Sequence, residues 1–368
     1  MASSPNPHVL VFPFMSHSHT FPLIDVSIAL SRHQARVTIV TVPANSSFIF
    51  PKIQTILLIS LVELHFPAID DLPEACHCQN LSEIPSSQVF VSFLTATTHL
   101  KNPFQQLLQS MADSGDLSLC VITDYFLGWN ASICQNFGVP RLVFHATGVV
   151  PLLITKAIMA NADYTASASS ISTLIHRLLP SLSFNLTAAD VPDVNLSSNT
   201  DSNPFAKFIA EAGEAELQSW GVIANTFLEL EIDHISQLES FYSKGAKVWC
   251  VGPTFLYGPE STTNHHKDDN SVSLMKWLDG RAAEASESAI YAAFGSQAVP
   301  TDAEMEAMAL GLEDSGCPFV LVIRSNIGGF LSHCGWKSIM ESLAAVPILA
   351  WPMISEQKLN AKYKIYLE

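Results

Sequence analysis

Residues 8–42, HVLVFPFMSHSHTFPLIDVSIALSRHQARVTIVTV, indicate the fold class of this protein. Residues 8–13 form an apolar run of the strand type, and residues 36–42 form a second one rich in β-branched side chains. A helix is predicted between them, over residues 21–33, with Pro22 in its first turn. Apolar strands joined by an amphipathic helix are typical of a parallel sheet that is covered on both faces. We therefore expect an α/β protein.

The same alternation continues along the chain. Further strands are predicted at residues 117–123, 141–144, 221–225 and 247–251, with a helix near residues 128–137. Residues 146–203 are rich in Ser, Asn, Asp and Pro and are helix-poor in their second half, which favours irregular loops over a binding cleft. The polar stretch that follows residue 250 includes His265 and His266, which we expect to be solvated. We assign residues 251–271 to a linker.

A second α/β set follows the linker. Its strands are predicted at residues 288–294, 318–323, 328–332 and 347–351, and its helices at residues 302–315, 336–345 and 355–366. A chain of 368 residues exceeds what one core usually covers, so we predict two domains, residues 1–250 and 272–368.

One connection in the second set is too short for the pattern. Only residues 324–327 separate the strands at 318–323 and 328–332. A parallel crossover usually needs a dozen residues or more, whereas a hairpin would place an antiparallel strand in an otherwise parallel unit. Either alternative leaves the second domain short of material, so we expect it to be incomplete.

Composition and charge exclude several classes of protein. The net charge of -16 argues against a nucleic-acid partner, because phosphate binding needs a basic surface. The N-terminus lacks the basic residues of a signal peptide, and no apolar run reaches membrane-spanning length. Seven scattered cysteines predict reduced thiols, and Asn-x-Ser/Thr triplets such as that at Asn130 are expected to be chance matches. We expect a cytoplasmic protein without integral membrane association.

Polar residues follow the predicted strands where ligands bind in open α/β sheets. These candidates are His17, His19 and Asp124 in the first domain and Ser296, His333, Glu356 and Gln357 in the second. A histidine and an aspartate at adjacent strand ends can act as a general base and its orienting partner. The alternative is that His19 is a turn histidine and Asp124 a helix N-cap. Two domains that each offer a crevice suggest a ligand held between them.

Residues 328–341, GGFLSHCGWKSIME, form the segment richest in binding features. Glycines permit a tight strand-to-helix turn, and the helix N-terminus that follows favours an anion. His333 and Ser338 add donors, and Glu341 is placed to accept hydroxyl groups such as those of a ribose. The alternative is a simple tight turn. The motif Cys76-His77-Cys78 lacks a second ligand pair, so no metal site is predicted.

These residues together resemble the signature of the plant family 1, or secondary-product, UDP-glycosyltransferases. The matching residues of the second domain are His333-Cys334-Gly335-Trp336, Ser338, Glu341, Val346-Pro347, Trp351-Pro352 and Glu356-Gln357. In the first domain the matches are PFMSHSHTFP at residues 13–22, Asp124 with Gly138-Val139-Pro140, and GVIANTFLELE at residues 221–231. Val251-Gly252-Pro253 and Phe294-Gly295-Ser296 also fit, so the resemblance covers nearly the whole chain.

The resemblance implies a GT-B fold, with two Rossmann-like domains whose parallel sheets face each other across a cleft. It implies inverting, metal-independent transfer of a hexose, commonly glucose, from a UDP-sugar to a hydroxyl of a small plant metabolite such as a flavonoid or another phenolic. No cofactor is expected, and the chain is expected to be a monomer.

Residue roles follow from the same resemblance. His19 matches the base and Asp124 its partner. The UDP-sugar contacts match Ser296, His333, Trp336, Lys337, Ser338, Glu341, Glu356 and Gln357. Within this set His333 and Ser338 correspond to diphosphate contacts, and Glu341 to the ribose contact. Glu356 and Gln357 correspond to the pair that binds the sugar hydroxyls.

Several departures from the family pattern fall mainly on the donor side. The W-A-P-Q segment that stacks on uracil is absent where residue 324 runs almost directly into residue 328, and Lys337 replaces an Asn. One residue is missing before Val346, and the family's last part would lie beyond Glu368. Ser18 replaces a Gly, which is costly if that position needs positive φ. The alternative function is therefore an inactive, truncated member that at most binds small acceptor-like molecules.

Overall fold

The computed structural model divides the chain into two compact units, Met1–Gly258 and Pro259–Glu368. The boundary falls inside the predicted linker, residues 251–271. The structure describes residues 6–66, 79–81, 84, 89–161, 168–178, 180, 186–191, 203–242, 245–258, 276–278, 280, 289–293, 301–322, 331–343, 348–353 and 355–367.

A seven-stranded parallel sheet forms the centre of the first unit. Its strands are β1 (His8–Phe12), β2 (Arg36–Thr41), β3 (Ile59–Glu63), β4 (Cys120–Asp124), β5 (Arg141–His145), β6 (Gly221–Ala224) and β7 (Lys247–Cys250). Their order is β3-β2-β1-β4-β5-β6-β7, which places β1 between β2 and β4. Side chains of β1 alternate between two buried clusters, with Val9 and Val11 in one and Leu10 and Phe12 in the other. Both faces of the sheet are therefore covered, as the apolar strands predict.

Helices cover this sheet. They are α1 (His17–Arg32), α2 (Pro43–Ile53), α3 (Phe90–Ala96), α4 (Lys101–Asp113), α5 (Ala131–Asn136), α6 (Val149–Met159), α7 (Ala168–Leu178), α8 (Pro204–Leu217) and α9 (Leu228–Glu239). Short 3₁₀ segments lie at Thr97–Leu100, Tyr125–Asn130, Ala188–Asp190 and Thr254–Tyr257.

Two sequence predictions in this unit are wrong. Helix α1 begins at His17 rather than at Phe21, because Ser16 takes an extended backbone and serves as its N-cap. The stretch 146–203 was expected to be irregular, but it contains helices α6 and α7 as far as Leu178; the prediction that its second half is helix-poor is not contradicted. Helix α6 is buried on nearly all sides and therefore lacks the one-sided apolar pattern that identifies a surface helix.

The second unit has a four-stranded sheet in which each described pair is parallel. Its strands are β8 (Ile290–Ala293), β9 (Phe319–Val322), β10 (Leu331–Ser332) and β11 (Leu349–Ala350), in the order β11-β10-β8-β9. Its longer described helices are α10 (Asp302–Asp314), α11 (Trp336–Leu343) and α12 (Gln357–Leu367), and residues 276–278 are also helical. Thr301 and Glu304 form a capping box at the start of α10.

The pairing of β9 and β10 decides between the two alternatives for the short connection. Both strands pair parallel to β8, on opposite sides of it, so the hairpin alternative is wrong. The joining residues, 323–330, lie outside the described part of the chain. None of the described helices is long and apolar enough to span a membrane.

Candidate active-site residues

His19 lies in the first turn of α1, directly after the carboxyl end of β1. Its backbone N–H donates to the Ser16 carbonyl at 3.1 Å, which fixes the start of the helix. Ser18 precedes it with helical backbone and is not among the described non-glycine residues with positive φ, which are Gln34, Cys334 and Ser355. The predicted cost of having Ser rather than Gly at position 18 therefore does not arise.

The structure brings His19 and Asp124 into direct contact. The register of β1 and β4 pairs Phe12 with Thr123, so the residues that follow these strands emerge side by side. His19 Nδ1 lies 2.7 Å from Asp124 Oδ2. The aspartate is 1% exposed and the histidine side chain 22% exposed. A buried carboxylate at Nδ1 selects the tautomer that carries its proton there, which assigns the acceptor role to Nε2.

Asp124 also caps the 3₁₀ segment Tyr125–Asn130. Its second oxygen, Oδ1, accepts a hydrogen bond from the Phe126 backbone N–H at 3.0 Å. The two alternatives posed by the sequence for Asp124, N-cap and histidine partner, are therefore met by different oxygens of one carboxylate.

Aromatic rings surround the imidazole of His19. The Phe14 ring lies edge-on with its centroid 5.6 Å away, and the Phe126 ring lies 5.4 Å away. Phe14 is completely buried. This apolar contact limits the access of water to the His19–Asp124 pair, which strengthens the electrostatic interaction between the two groups.

In the second unit, His333 follows β10 and begins a strained turn. Cys334 has a φ of 61°, and its backbone N–H donates to Ser332 Oγ at 3.0 Å. A Cβ on Gly335 would lie 2.5 Å from His333 Nε2, so the imidazole occupies the space that a side chain would need. A side chain at position 335 would therefore have to displace the His333 imidazole.

Helix α11 carries four of the predicted donor-binding residues. The Trp336 ring is 2% exposed and stacks on Tyr363, with centroids 6.3 Å apart. The Trp336 ring thus packs against helix α12. Lys337 is exposed, and its Nζ lies 3.6 Å from Glu341 Oε1, one turn along the same helix. Ser338 is partly buried.

Tyr291, on the neighbouring strand β8, was not singled out from the sequence. Burial, followed by the charge of Glu341, raises the pKa of the Tyr291 hydroxyl to about 12. The tyrosine therefore stays protonated at neutral pH beside the Glu341 carboxylate. The only signal in the sequence is its position in strand β8, which does not distinguish it from a core residue.

The predicted sugar-binding pair is held by its own turn. Gln357 is buried, and its Oε1 accepts the Met353 backbone N–H at 2.9 Å. Glu356 Oε2 accepts from Ser355 Oγ at 2.6 Å, and Ser355 has a φ of 57°. Predicted site residue Ser296 lies outside the described residues.

Asn360 connects this turn with the turn that follows β10. Its Nδ2 donates to the Cys334 carbonyl at 3.0 Å and lies 3.5 Å from Glu356 Oε1. Asn360 was not predicted from the sequence, because an Asn within a helix pattern does not indicate which distant residue it contacts. His333 thus follows strand β10, Glu341 lies on helix α11, and Glu356 and Gln357 lie at the start of helix α12.

No cluster of three metal-ligating side chains occurs among the residues that the structure describes. Cys120, Cys134, Cys250, Cys317 and Cys334 are free thiols. Burial raises the pKa of Cys134 to about 11, so that thiol is protonated and inert at neutral pH. The Cys76-His77-Cys78 motif lies outside the described part of the chain.

Comparison with known proteins identifies the family. A scan against protein-family models found no match. A UDP-glycosyltransferase of Arabidopsis thaliana, 73B3, is 30% identical to this chain, and the match covers 98% of this chain and 84% of the relative. The chain belongs to the plant family 1 UDP-glycosyltransferases. Scopoletin glucosyltransferase of Nicotiana tabacum is another relative, 28% identical, with coverage of 96% and 81%.

Solved structures of plant glycosyltransferases share the fold. The chain superposes on Glycyrrhiza uralensis UGT73P12 with a TM-score of 0.79, at 23% identity, over 98% of this chain and 79% of that one. It superposes on Medicago truncatula UGT71G1, solved with UDP-glucose, with a TM-score of 0.73, at 22% identity, over 97% and 82%. The predicted GT-B class is confirmed for this glycosyltransferase.

The alignment also bears on the missing segments. The match to the Arabidopsis relative runs over 420 positions, more than the 368 residues of this chain. Part of that relative must therefore lie opposite gaps in this chain. This agrees with the internal shortening that the sequence of this glycosyltransferase indicates near residue 328.

Proposed function

We propose that this chain transfers a hexose, with glucose as the first candidate, from a UDP-sugar to a hydroxyl of a small plant metabolite such as a flavonoid or another phenolic. The observation that carries the proposal is the contact of 2.7 Å between His19 Nδ1 and the buried carboxylate of Asp124. The names of relatives support the substrate class, since one is a scopoletin glucosyltransferase and another a UDP-glucose flavonoid 3-O-glucosyltransferase of Fragaria ananassa.

In the proposed reaction the His19 Nε2 takes the proton of the acceptor hydroxyl. The hydroxyl oxygen attacks the anomeric carbon from the side opposite the leaving group, and the bond to the UDP oxygen breaks with inversion. Asp124 stabilises the imidazolium that forms at His19. The proton leaves to solvent afterwards, and UDP carries away the charge of the broken bond.

On the donor side, the proposed contacts follow the second unit's geometry. His333, Ser338 and the N-terminus of α11, with Ser296, would neutralise the diphosphate without a metal. Glu341 would accept the ribose hydroxyls, and Glu356 and Gln357 those of the sugar. The Lys337 ammonium would approach a phosphate only by leaving Glu341, which lies 3.6 Å away.

The test compares His19→Ala with the unmodified chain, using UDP-glucose and a panel of phenolic acceptors. A general base contributes about 10²–10⁴-fold, so kcat/KM should fall by that factor. His17→Ala is the matched control, because His17 lies in the same helical turn but packs against Phe21 and Phe48. Full activity in His19→Ala would refute the proposed role of His19.

The second candidate is a non-catalytic member that binds acceptor-like molecules only. It is favoured by the gaps in the alignment and by the absent W-A-P-Q segment, because stacking on a base is worth about 1–3 kcal/mol. Thermal unfolding with UDP separates the two candidates. A ligand at one hundred times its Kd adds about 2.7 kcal/mol of stability, so an unchanged Tm at millimolar UDP would favour the non-catalytic candidate.

A further inference from the structure

We propose that Asn130, through Thr123, is a positioning residue for the His19–Asp124 pair. The inference rests on the proposed function of that pair and extends it to residues that touch neither the substrate nor His19. Asn130 is the last residue of the 3₁₀ segment Tyr125–Asn130, which begins directly after Asp124.

The segment Tyr125–Asn130 needs external support. Leu127, in its middle, has a φ of -95° and a ψ of 35°, so the six residues do not form one regular helical turn. Asp124 Oδ1, which accepts from the Phe126 N–H at 3.0 Å, caps its start. A change in the path of this segment would turn the Asp124 carboxylate and, with it, the oxygen that faces His19.

Asn130 ties the end of the segment back to its beginning. The side chain is completely buried, and its Nδ2 donates to Thr123 Oγ1 at 2.8 Å. Thr123, itself completely buried, directly precedes Asp124. Two hydrogen bonds, one accepted by Asp124 Oδ1 and one donated by Asn130 Nδ2, therefore close the segment at both ends.

Arg141 fixes the orientation of the Asn130 amide. Its Nε donates to Asn130 Oδ1 at 2.7 Å, and only the oxygen of the amide can accept from a guanidinium. Arg141 is buried at the start of β5 and also donates through Nη1 to the Ala215 carbonyl of α8 at 3.3 Å. The Asn130 amide is thus held on a rigid strand and helix, not on a loop.

The same segment sets two of the contacts of His19. It begins from Asp124, whose Oδ2 faces Nδ1, and it carries Phe126, whose ring lies 5.4 Å from the imidazole. It is also seated tightly on α8, since a Cβ on Gly128 would lie 2.8 Å from Ala212 Cα. A displacement of the segment would therefore disturb the charge partner and the ring packing of His19 together.

Asn130 is also the first residue of an Asn-Ala-Ser triplet, so an alternative hypothesis is that it carries a glycan. Both ends of its amide are engaged inside the first unit, with Arg141 and with Thr123, and the side chain is completely buried. A glycan cannot be accommodated there in the folded protein. The buried and hydrogen-bonded amide of Asn130 therefore favours the positioning role over glycosylation.

The test uses Thr123→Val, which keeps the shape of the strand residue but removes the oxygen that accepts from Asn130. Thr123→Ser keeps that oxygen and is the conservative rescue. Thr38→Val is the matched control, since it removes a buried strand hydroxyl that lies 2.8 Å from His8 Nε2, away from the segment.

Two measurements are made on the full chain. The first is the downfield proton resonance of His19 Nδ1–H, assigned by its loss in His19→Ala. Far-UV circular dichroism and the Tm of each variant serve as the reference for an intact fold. The resonance of His145 is not used for this, because its ring lies 5.1 Å from that of Tyr125 in the segment itself. The second is the split between kcat and the KM for UDP-glucose.

In Thr123→Val we expect the His19 resonance to shift or broaden while the far-UV circular dichroism of the chain stays unchanged. We expect kcat to fall about tenfold with little change in KM for UDP-glucose, because small misplacements of a catalytic group cost rate more than binding. Thr123→Ser and Thr38→Val should behave like the unmodified chain.

The outcomes separate this proposal from the proposed function. A wild-type resonance and kcat in Thr123→Val would overturn the positioning role alone. If Thr123→Val loses the His19 resonance and the unmodified chain transfers no sugar, the positioning role is supported and the proposed function is refuted. Absence of the resonance from the unmodified chain would overturn the positioning role, whereas the proposed function stands or falls on sugar transfer alone. If Thr123→Val does not fold, Thr123→Ala, which also removes the oxygen that accepts from Asn130, replaces it.

Discussion

At the scale of single residues, Asp124 serves two partners with two oxygens. Oδ1 caps the Phe126 N–H and Oδ2 contacts His19 Nδ1, so local structure and the catalytic pair depend on one side chain. Substitution can separate the cap from the charge of the pair. The amide of an Asn at position 124 can still accept at Oδ1 but carries no charge.

We predict that Asp124→Asn lowers kcat/KM by about 10²-fold or more, because a neutral amide no longer stabilises the imidazolium of His19. The cap survives, so the Tm should change little. Asp124→Ala removes both the charge and the cap, so it should be about 1 kcal/mol less stable than Asp124→Asn. Steady-state kinetics and thermal unfolding on the same samples check this. Equal losses of stability in the two variants would contradict the division between the oxygens.

Gly335 offers a residue-scale prediction in the second unit. A Cβ at this position would lie 2.5 Å from His333 Nε2, so Gly335→Ala should displace the imidazole from its place beside the start of α11. Because a charge-assisted hydrogen bond to a phosphate is worth about 1.5–3 kcal/mol, UDP affinity should fall about tenfold or more. Calorimetric titration with UDP measures it, and Gly311→Ala, in open space on α10, is the control. Unchanged UDP affinity would exclude His333 from the diphosphate site.

At the scale of elements, a buried cluster of charged and polar side chains joins helices α6 and α8. Glu216 of α8 is completely buried and accepts from Tyr242 Oη at 2.6 Å and contacts His145 Nε2 at 2.8 Å. Lys156 of α6 forms the ion pair with its other oxygen. Burial opposes ionisation of Glu216, but the charges and hydrogen bonds of Lys156 and His145 outweigh it and hold the pKa of Glu216 well below its usual range.

We predict that Lys156→Met destabilises the first unit by about 3 kcal/mol, because it leaves the Glu216 carboxylate buried without its cation. The double variant Lys156→Met with Glu216→Gln should recover part of that loss. Urea unfolding followed by tryptophan fluorescence measures both. A double variant no more stable than Lys156→Met alone would show that the charge of Glu216 is not the cause.

The same cluster predicts a pH dependence. The folded-state pKa of Glu216 is depressed, so its contribution to stability is complete above the ordinary value of 4.5 and is lost as the pH falls below it towards the folded-state pKa. Stability of the unmodified chain should therefore fall between pH 5 and about pH 3 more steeply than that of Glu216→Gln. Parallel slopes for the two proteins over that range would contradict the depressed pKa.

At the scale of the whole molecule, the candidate residues divide between the two units. His19 and Asp124 belong to Met1–Gly258, whereas His333, Glu341 and Gln357 belong to Pro259–Glu368. The proposed acceptor chemistry and donor binding should therefore respond to different substitutions. Independent sites have additive effects.

We predict that saturating UDP raises the Tm of the unmodified chain and of His19→Ala by the same amount, and that of Gly335→Ala by less. The reason is linkage, since the rise depends only on the affinity of the folded chain for UDP. Differential scanning fluorimetry over a UDP series measures it. A UDP-induced rise that vanishes in His19→Ala would show that the donor site includes the first unit's pair.

The sequence predicted six of the seven strands of the first sheet and the four strands of the second, because those strands are mainly apolar and their pattern is local. It missed β3, Ile59–Glu63, of which only Ile59 is buried. It also placed His19 and Asp124 at strand ends, from which their proximity follows once the strands are parallel neighbours. It failed at α6, whose surface is buried all round, and at the start of α1, where the N-cap Ser16 rather than Pro22 sets the boundary. Local pattern does not record how much of a helix other elements cover.

The tertiary structure decided matters that depend on contacts between distant residues. It showed that β9 and β10 are parallel on either side of β8, that Trp336 is a packing residue stacked on Tyr363, and that Asn130, Arg141 and Asn360 hold the turns beside the candidate residues. The sequence by itself determined the family, the α/β class and the identity of the candidate residues, because these depend on residue type and short-range order. Hydrogen bonds between side chains far apart in the chain depend on how the sheet is assembled, so only the folded chain could decide them.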